Sequence, residues 1–274
     1  MRLKPNRRVA LGCLVLLSAP ALAGAAPEKG TTPDPDQLVA AMCAHLKSLE
    51  RFSYRAEVTD DEVYTGGKKL QFGFTTETFV ERPNRLRVNA VGDLFDKQVY
   101  FDGKALTLVD PQAKVYASAE AQGDIEAALA KAAGQLRFRV PLGDLSSPKL
   151  CEHMGKGQGH ALYVGPAKVG GVATEHLAFD RADLQYQLWI TTGDKPLPVK
   201  ILVNQKNLPT APQWTAVLSD WKTAPKFKPD TFTFTPAPGL KQIKFAAAPA
   251  APAKPAAPPA VTPDATPDAT GAKP

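Results

Sequence analysis

Residues 51–90 read RFSYRAEVTDDEVYTGGKKLQFGFTTETFVERPNRLRVNA, and the side-chain period of this stretch decides the fold. Phe52, Tyr54, Ala56 and Val58 alternate with polar or charged neighbours. Gly66-Gly67 supplies a turn, after which Leu70, Phe72, Phe74 and Val80 fall on one face and Gln71, Thr75, Glu77 and Glu81 on the other. Leu86, Val88 and Ala90 then alternate with Arg85, Arg87 and Asn89. Successive side chains of a strand point to opposite faces, so a period of two over three segments predicts a half-buried antiparallel meander.

The same pattern extends in both directions. Asp102-Gly103 is a tight-turn signal between strands expected at Gln98–Phe101 and Ala105–Val109. Further strands are expected at His160–Val164, Val172–Phe179, Leu184–Thr191, Val199–Val203, Gln213–Leu218 and Thr231–Phe234. Upstream, Asp34-Pro35 pairs an N-cap with a proline at the first helical position. Leu38, Met42, His45, Leu46 and Leu49 then recur at helical spacing, with His45 read as a core or boundary histidine. Mid-chain, Gly123-Asp124 opens a short helix carrying Ile125, Leu129, Ala132 and Ala133 that stops at Gly134, and Pro141 to Leu150 is short helical or irregular. The expected fold is therefore an α+β domain over residues 34–245. It is a strongly curved antiparallel sheet of ten or eleven strands, an incomplete β-barrel, with an N-terminal helix and mid-chain helices on its concave side.

The two ends read differently. Arg2, Lys4, Arg7 and Arg8 precede an apolar run from Val9 to Leu17 and the small-residue tripeptide Ala21-Leu22-Ala23. That order predicts a secretory signal peptide over residues 1–23, with cleavage possible up to residue 26. The run is about half the ~20 residues a spanning helix needs, so no stable membrane insertion is expected and the domain is predicted to be soluble and periplasmic. Arg7-Arg8 leaves Sec and twin-arginine export both open. Residues 1–23 hold four of the 33 basic residues and none of the 27 acidic ones, so removing them lowers the net charge from +6 to +2. No basic face for nucleic acid is implied. From Ala246 to Pro274 the chain is Ala/Pro-rich, with Thr262-Pro263-Asp264-Ala265 repeated immediately as Thr266-Pro267-Asp268-Ala269. Such a segment buries too little apolar surface to offset its ordering entropy, and it is expected to be a disordered tail.

The chemistry-bearing residues are sparse. Gly155-Lys156-Gly157-Gln158-Gly159 lacks the following helix and the Lys-Ser/Thr of a phosphate loop. His153 and His160 lie near Cys151 and Glu152, but their spacing matches no zinc pattern. Neither a Gly-x-Ser-x-Gly nor a His-Glu-x-x-His sequence occurs, so no enzyme activity, cofactor or metal is expected. Cys43 and Cys151 remain after signal removal, and they form either a disulfide or two separate buried thiols. In Leu184–Thr191 the inward set is Leu184, Tyr186, Leu188 and Ile190, which puts Trp189 on the outer face with His176 of the preceding strand. That pair is either a cross-strand contact or a patch for an envelope protein partner. Inside, Phe72, Phe74, Leu86, Val88, Leu188 and Ile201 line either a filled core or a cavity for a hydrophobic ligand.

Several longer motifs carry a resemblance. They are Arg82-Pro83-Asn84-Arg85-Leu86-Arg87, Tyr100-Phe101-Asp102-Gly103-Lys104, Tyr163-Val164-Gly165 and Val169-Gly170-Gly171-Val172. His176-Leu177-Ala178-Phe179, Gln187-Leu188-Trp189-Ile190 and Pro196-Leu197-Pro198-Val199-Lys200 continue the series. Over roughly Leu38 to Phe245 the chain resembles the domain-of-unknown-function family 2092 of predicted periplasmic proteins. It departs from that pattern at Thr174, where such proteins often carry Cys, and at Gln185-Tyr186, where an Asp-Trp pair is usual. The resemblance implies the fold of the periplasmic lipoprotein carriers and receptors (LolA- and LolB-like), in which helices close an incomplete barrel over an apolar concavity. It implies no catalytic residues. Two functions follow as expectations: a carrier or binding protein for a hydrophobic group such as an acyl chain, or an interaction or sensing module of the envelope.

Overall fold

Helix α1 (Pro35–Ser48) begins where the capping signal places it. The Asp34 side chain accepts the Asp36 N–H at 2.9 Å, and Pro35 occupies the first turn, where its missing N–H costs nothing. The computed structural model describes residues 32–147, 149–150 and 160–245. The expected signal peptide, the tail from 246 to 274, Cys151, His153 and the glycine-rich 155–159 segment lie outside the described residues.

Six strands follow α1 as an antiparallel meander: β1 (Arg51–Val63), β2 (Lys69–Glu81), β3 (Arg85–Gly92), β4 (Asp96–Phe101), β5 (Ala105–Asp110) and β6 (Val115–Glu120). Asp124 then caps α2 (Ile125–Gly134) by accepting the Ala127 N–H at 2.8 Å, and a 3₁₀ turn at Gly143–Ser146 follows. A second antiparallel meander comprises β7 (His160–Val169), β8 (Val172–Asp180), β9 (Gln185–Thr191), β10 (Pro198–Asn204) and β11 (Gln213–Lys222). β11 pairs antiparallel with β1 and so joins the two meanders. Finally β12 (Lys241–Ile243) pairs in parallel with β6. The result is one curved, unclosed, mixed sheet in the order β12-β6-β5-β4-β3-β2-β1-β11-β10-β9-β8-β7.

Three expectations need correction. Among the described residues the sheet has twelve strands, not ten or eleven, and it is not purely antiparallel. β6 escapes a periodicity reading because its inward residues include Ala117 and Ala119, too small to contrast with their neighbours. Thr231–Phe234 alternates like a strand but forms a turn and irregular chain. Its phenylalanines pack instead on the outer face of the first meander. Phe232 is 2% exposed and meets Phe227 edge-on at 5.1 Å, while Phe227 meets Phe79 at 6.1 Å. Phe234 lies 5.5 Å from Tyr100 and 5.0 Å from Tyr116. The segment from 223 to 243 is therefore a strap across a sheet face that the alternation marks as polar.

Strand register builds the core. One inward row runs Leu177–Leu188–Ile201–Ala216–Val58–Phe74 across six strands. Beside it run Phe179–Tyr186–Val203–Trp214–Asp60–Phe72 and, on the first meander, Leu106–Phe101–Leu86–Val80–Phe52. Val39, Met42 and Leu46 of α1 and Ile125, Ala128 and Ala132 of α2 belong to the same apolar cluster as these rows. Both helices thus bury their stripes on one face of the sheet, each large apolar side chain contributing about 1.5–3 kcal/mol. A bulge adds to this face. Asp220 adopts φ 52° where the β1–β11 register slips, and Trp221 comes to lie 4.7 Å from Tyr54.

Arg82 ties the layers together. Its guanidinium lies 5.1 Å over the Phe52 ring and donates to the carbonyls of Leu46 (2.7 Å) and Leu49 (2.6 Å) at the end of α1, and to Ser146 (3.2 Å). The Leu46 carbonyl also accepts the Leu49 N–H at 3.3 Å, and a cation at this helix end satisfies further hydrogen-bonding capacity and complements the helix dipole. At the adjoining turn, Gly103 (φ +91°) approaches Asn84 so closely that an added Cβ would lie 2.6 Å from Nδ2. The two upstream motifs, 82–87 and 100–104, are thereby in contact.

Candidate functional site

The apolar face is not filled everywhere. A cavity of about 380 Å³ lies between α1, the segment from Leu142 to Leu150 and strands β9, β10 and β11. The strands supply Tyr186, Leu188, Ile201, Val203 and Trp214, neighbours in the two inward rows, together with Pro198, which pairs with Ile190. Met42 of α1 and Leu142, Leu145 and Leu150 form the opposite wall. That wall is held by two contacts. Tyr54 Oη donates to the Leu142 carbonyl at 3.2 Å. Gly143 meanwhile sits so near α2 that a Cβ would lie 2.8 Å from Leu129 Cδ2.

Polar groups on the wall are few and differ in setting. Asp144 is exposed and Arg181 half-exposed, so their charges remain in contact with solvent. Arg181 Nε lies 3.7 Å from Asp183 Oδ1. Tyr186 is 6% exposed, stacks on Phe179 with ring centroids 4.6 Å apart, and its buried hydroxyl has no hydrogen-bond partner. Burial raises the Tyr186 phenol above its ordinary range, Arg181 opposes the shift, and Asp36 adds to it. Burial likewise raises Tyr54, against the lowering effect of its neighbour Thr78. Both phenols are therefore neutral O–H groups near neutral pH.

The structure sorts the six expected lining residues into three groups. Leu188 and Ile201 line the cavity. Leu86 and Val88, 0% and 1% exposed, are packed in the filled part of the core and are not on its wall. Phe72 and Phe74 are also off its wall but end the inward rows that pass through it, and Phe74 packs on Phe95 at 5.2 Å. Sequence reasoning missed Met42 and Trp214 as lining residues, although Met42 was visible on the helical stripe.

His176 and Trp189 do face each other. They are register partners on β8 and β9, and their rings stack 4.1 Å apart. His176 Nε2 is 2.9 Å from Gln187 Oε1, and Lys200 Nζ lies 4.5 Å over the indole. Trp189 is nevertheless only 9% exposed, because His176 and Lys200 cover its two sides, so it presents no exposed docking indole. Cys43 is disulfide-bonded, and its expected partner Cys151 lies outside the described residues. Among the described residues no group of three or more His, Cys, Asp or Glu gathers to hold a metal, and no helix is long and apolar enough to cross a membrane.

Fold and site together define an unclosed β-sheet domain whose helices cover one apolar face and leave a lined cavity beneath. A family model described as "Predicted periplasmic protein (DUF2092)" matches residues 35–246, and the chain belongs to that family. No curated protein matches it. Among solved structures, LprF from Mycobacterium bovis is similar at 16% identity and a TM-score of 0.45, over 73% of this chain and 98% of that one. An uncharacterised conserved protein from Thermus thermophilus is 8% identical with a TM-score of 0.42, covering 76% and 97%. A LolA superfamily protein from Nitrosomonas europaea is 11% identical with a TM-score of 0.37, covering 74% and 99%. Likenesses at this level assign neither a ligand nor an activity to this chain.

Proposed function

We propose that this protein binds and shelters a hydrophobic group, such as a lipid acyl chain, in the periplasm. The observation that carries this reading is the cavity between α1, the 142–150 segment and β9–β11, with its almost wholly apolar wall. Its volume of about 380 Å³ falls within the span of small-molecule sites, about 300–1,000 Å³. An apolar pocket of that size, open to solvent on one side, leaves its lining in contact with water and short of packing contacts. An apolar occupant restores those contacts. The charged groups Asp144 and Arg181 stay at the solvent side, an arrangement suited to an amphiphile whose polar end remains wet.

In this reading α1 and the mid-chain helices act as a lid over the concave face of the sheet. In the same reading residues 1–23 direct export and are removed, and the domain spans 34–245. The inward rows extend past the cavity to Phe72 and Phe74, which would receive the far end of a longer chain.

Mass spectrometry of gently purified protein, together with uptake of a fluorescent acyl probe, tests the proposal. Co-purifying lipid or saturable probe binding is expected, and Ile201→Trp should abolish it by filling the cavity while the protein stays folded. Absence of both lipid and probe binding in the folded wild type would rule the reading out.

A further inference from the structure

Resting on that reading, we propose that the protein docks on a zwitterionic lipid surface through three turns at one end of its sheet, which set apolar side chains into the bilayer beside the cavity. Among the described residues ten large apolar side chains are well exposed. Six of them belong to three turns and the strand ends that carry them: Val63, Tyr64 and Leu70 at β1–β2, Val91 and Leu94 at β3–β4, and Leu208 at β10–β11. The register brings these turns to the same end, since Phe74 pairs with Gly92 and Asp60 with Trp214. They are also tied to one another. The Gly73 N–H donates to Asp93 Oδ2 at 2.7 Å, the Gln213 N–H donates to Asp61 Oδ2 at 3.0 Å, and a Cβ on Gly67 would lie 3.8 Å from Thr210 Cγ2. Leu184, Val203 and Trp214 of the cavity wall lie at that end too, because Asn204 pairs with both Gln185 and Gln213.

Side chains on turn tips project singly, so they suit a fluid apolar medium that closes around each one better than the close-packed surface of a folded partner. Tyr64, 48% exposed, is a residue type favoured at the headgroup level, where its ring is in apolar surroundings and its hydroxyl is wet. An acyl chain that leaves the cavity at a docked end passes into lipid without presenting its apolar surface to water. Charge decides which lipid. Residues 61–70, 91–96 and 205–213 carry four carboxylates (Asp61, Glu62, Asp93 and Asp96) and three lysines (Lys68, Lys69 and Lys206). Lys69 is paired with Asp61 and Lys206 with Asp180, which leaves Lys68 against Glu62, Asp93 and Asp96. Recruitment by anionic lipid takes a cluster of bases with positive charge to spare. This end has none, so insertion of apolar side chains is what holds it to the surface.

Flotation of the exported protein with dioleoylphosphatidylcholine vesicles, and with vesicles of an equal mixture with dioleoylphosphatidylglycerol, tests this directly. Wild type should float with the phosphatidylcholine vesicles, no better with the mixture, and equally at low and high salt. Tyr64→Ser combined with Leu208→Ser should weaken that binding about ten-fold. Val172→Ser, at the opposite end of the sheet and as exposed as Leu208, should leave it unchanged. All three side chains are exposed, so melting temperatures should hold, and acyl-probe affinity in vesicle-free solution should be unaltered. Wild type that stays off the vesicles, binding that needs the anionic lipid, or binding that the double substitution leaves intact would each overturn the proposal. A concentration-dependent dimer broken by the same substitutions, with no vesicle binding, would assign the turns to a second copy of the chain instead. The acyl probe reads the cavity alone. Probe binding without vesicle attachment therefore rejects the docking surface only, whereas failure of the probe to bind rejects the carrier reading. The wild-type lipid and salt series is decisive even if the double variant does not fold.

Discussion

Removing the Arg82 guanidinium is expected to cost about 2–3 kcal/mol of stability, the scale of hydrogen bonds to a charged group whose partners would be left buried. Arg82→Met tests it by urea unfolding, since the methionine keeps the apolar stem on Phe52 but cannot reach the carbonyls of Leu46, Leu49 and Ser146. Nothing in the spacing around Arg82-Pro83 marks this role, because a charged residue between two strands reads as a solvated turn. Titration separates two aspartates. Asp110 is held below the usual carboxylate range, first by the Lys97 side chain and then by the Ala113 N–H. A depressed folded value means its stabilisation is present above about pH 4 and is lost as pH falls through that lower value. Asp60 goes the other way. Burial first, then Glu62 and Asp61, raise it, consistent with its place in an inward row between Trp214 and Phe72. Its contribution is lost as pH rises through the raised value, so Asp60→Asn should gain stability at pH 7 relative to wild type and lose that advantage below about pH 4. Thermal melts of both proteins across pH 3–7 provide the check.

At the scale of elements, the strap from 223 to 243 holds the outer face of the first meander. Phe232→Ala should destabilise the protein by about 3–4 kcal/mol, as for a buried aromatic truncated to a cavity, yet leave acyl-probe affinity unchanged, because the strap is on the face away from the cavity. Unfolding and probe titration of the same variant measure both. This element also shows where reading a period of two breaks down. Thr231-Phe232-Thr233-Phe234 alternates as a strand would, but alternation reports only that one face is apolar. It does not say whether a neighbouring strand offers a free edge for hydrogen bonding. The helices were more legible, since Asp34-Pro35 and Asp124 cap through side-chain geometry that is local in sequence.

For the whole molecule, the Cys43 disulfide closes a long loop if Cys151 is its partner, as we propose. A loop of on the order of 100 residues is worth about 4.7 kcal/mol in the chain-entropy account. Reduction should lower the unfolding midpoint accordingly, and peptide mapping of non-reduced protein should recover Cys43 linked to Cys151. The sequence by itself determined the faces of the strands, the helix starts and the antiparallel meanders, because side-chain alternation and capping act over a few residues. It identified Leu188 and Ile201 as inward, and Trp189 as outward, for the same reason. Only the tertiary structure decided that Leu188 and Ile201 border a cavity while Leu86 and Val88 sit in filled core. All four point to the same face, and what separates them is how closely α1 and the 142–150 segment lie over each part of the sheet. That spacing is set by packing between elements distant in the chain, and by the β1–β11 pairing that joins the two meanders, neither of which leaves a periodic mark on the sequence.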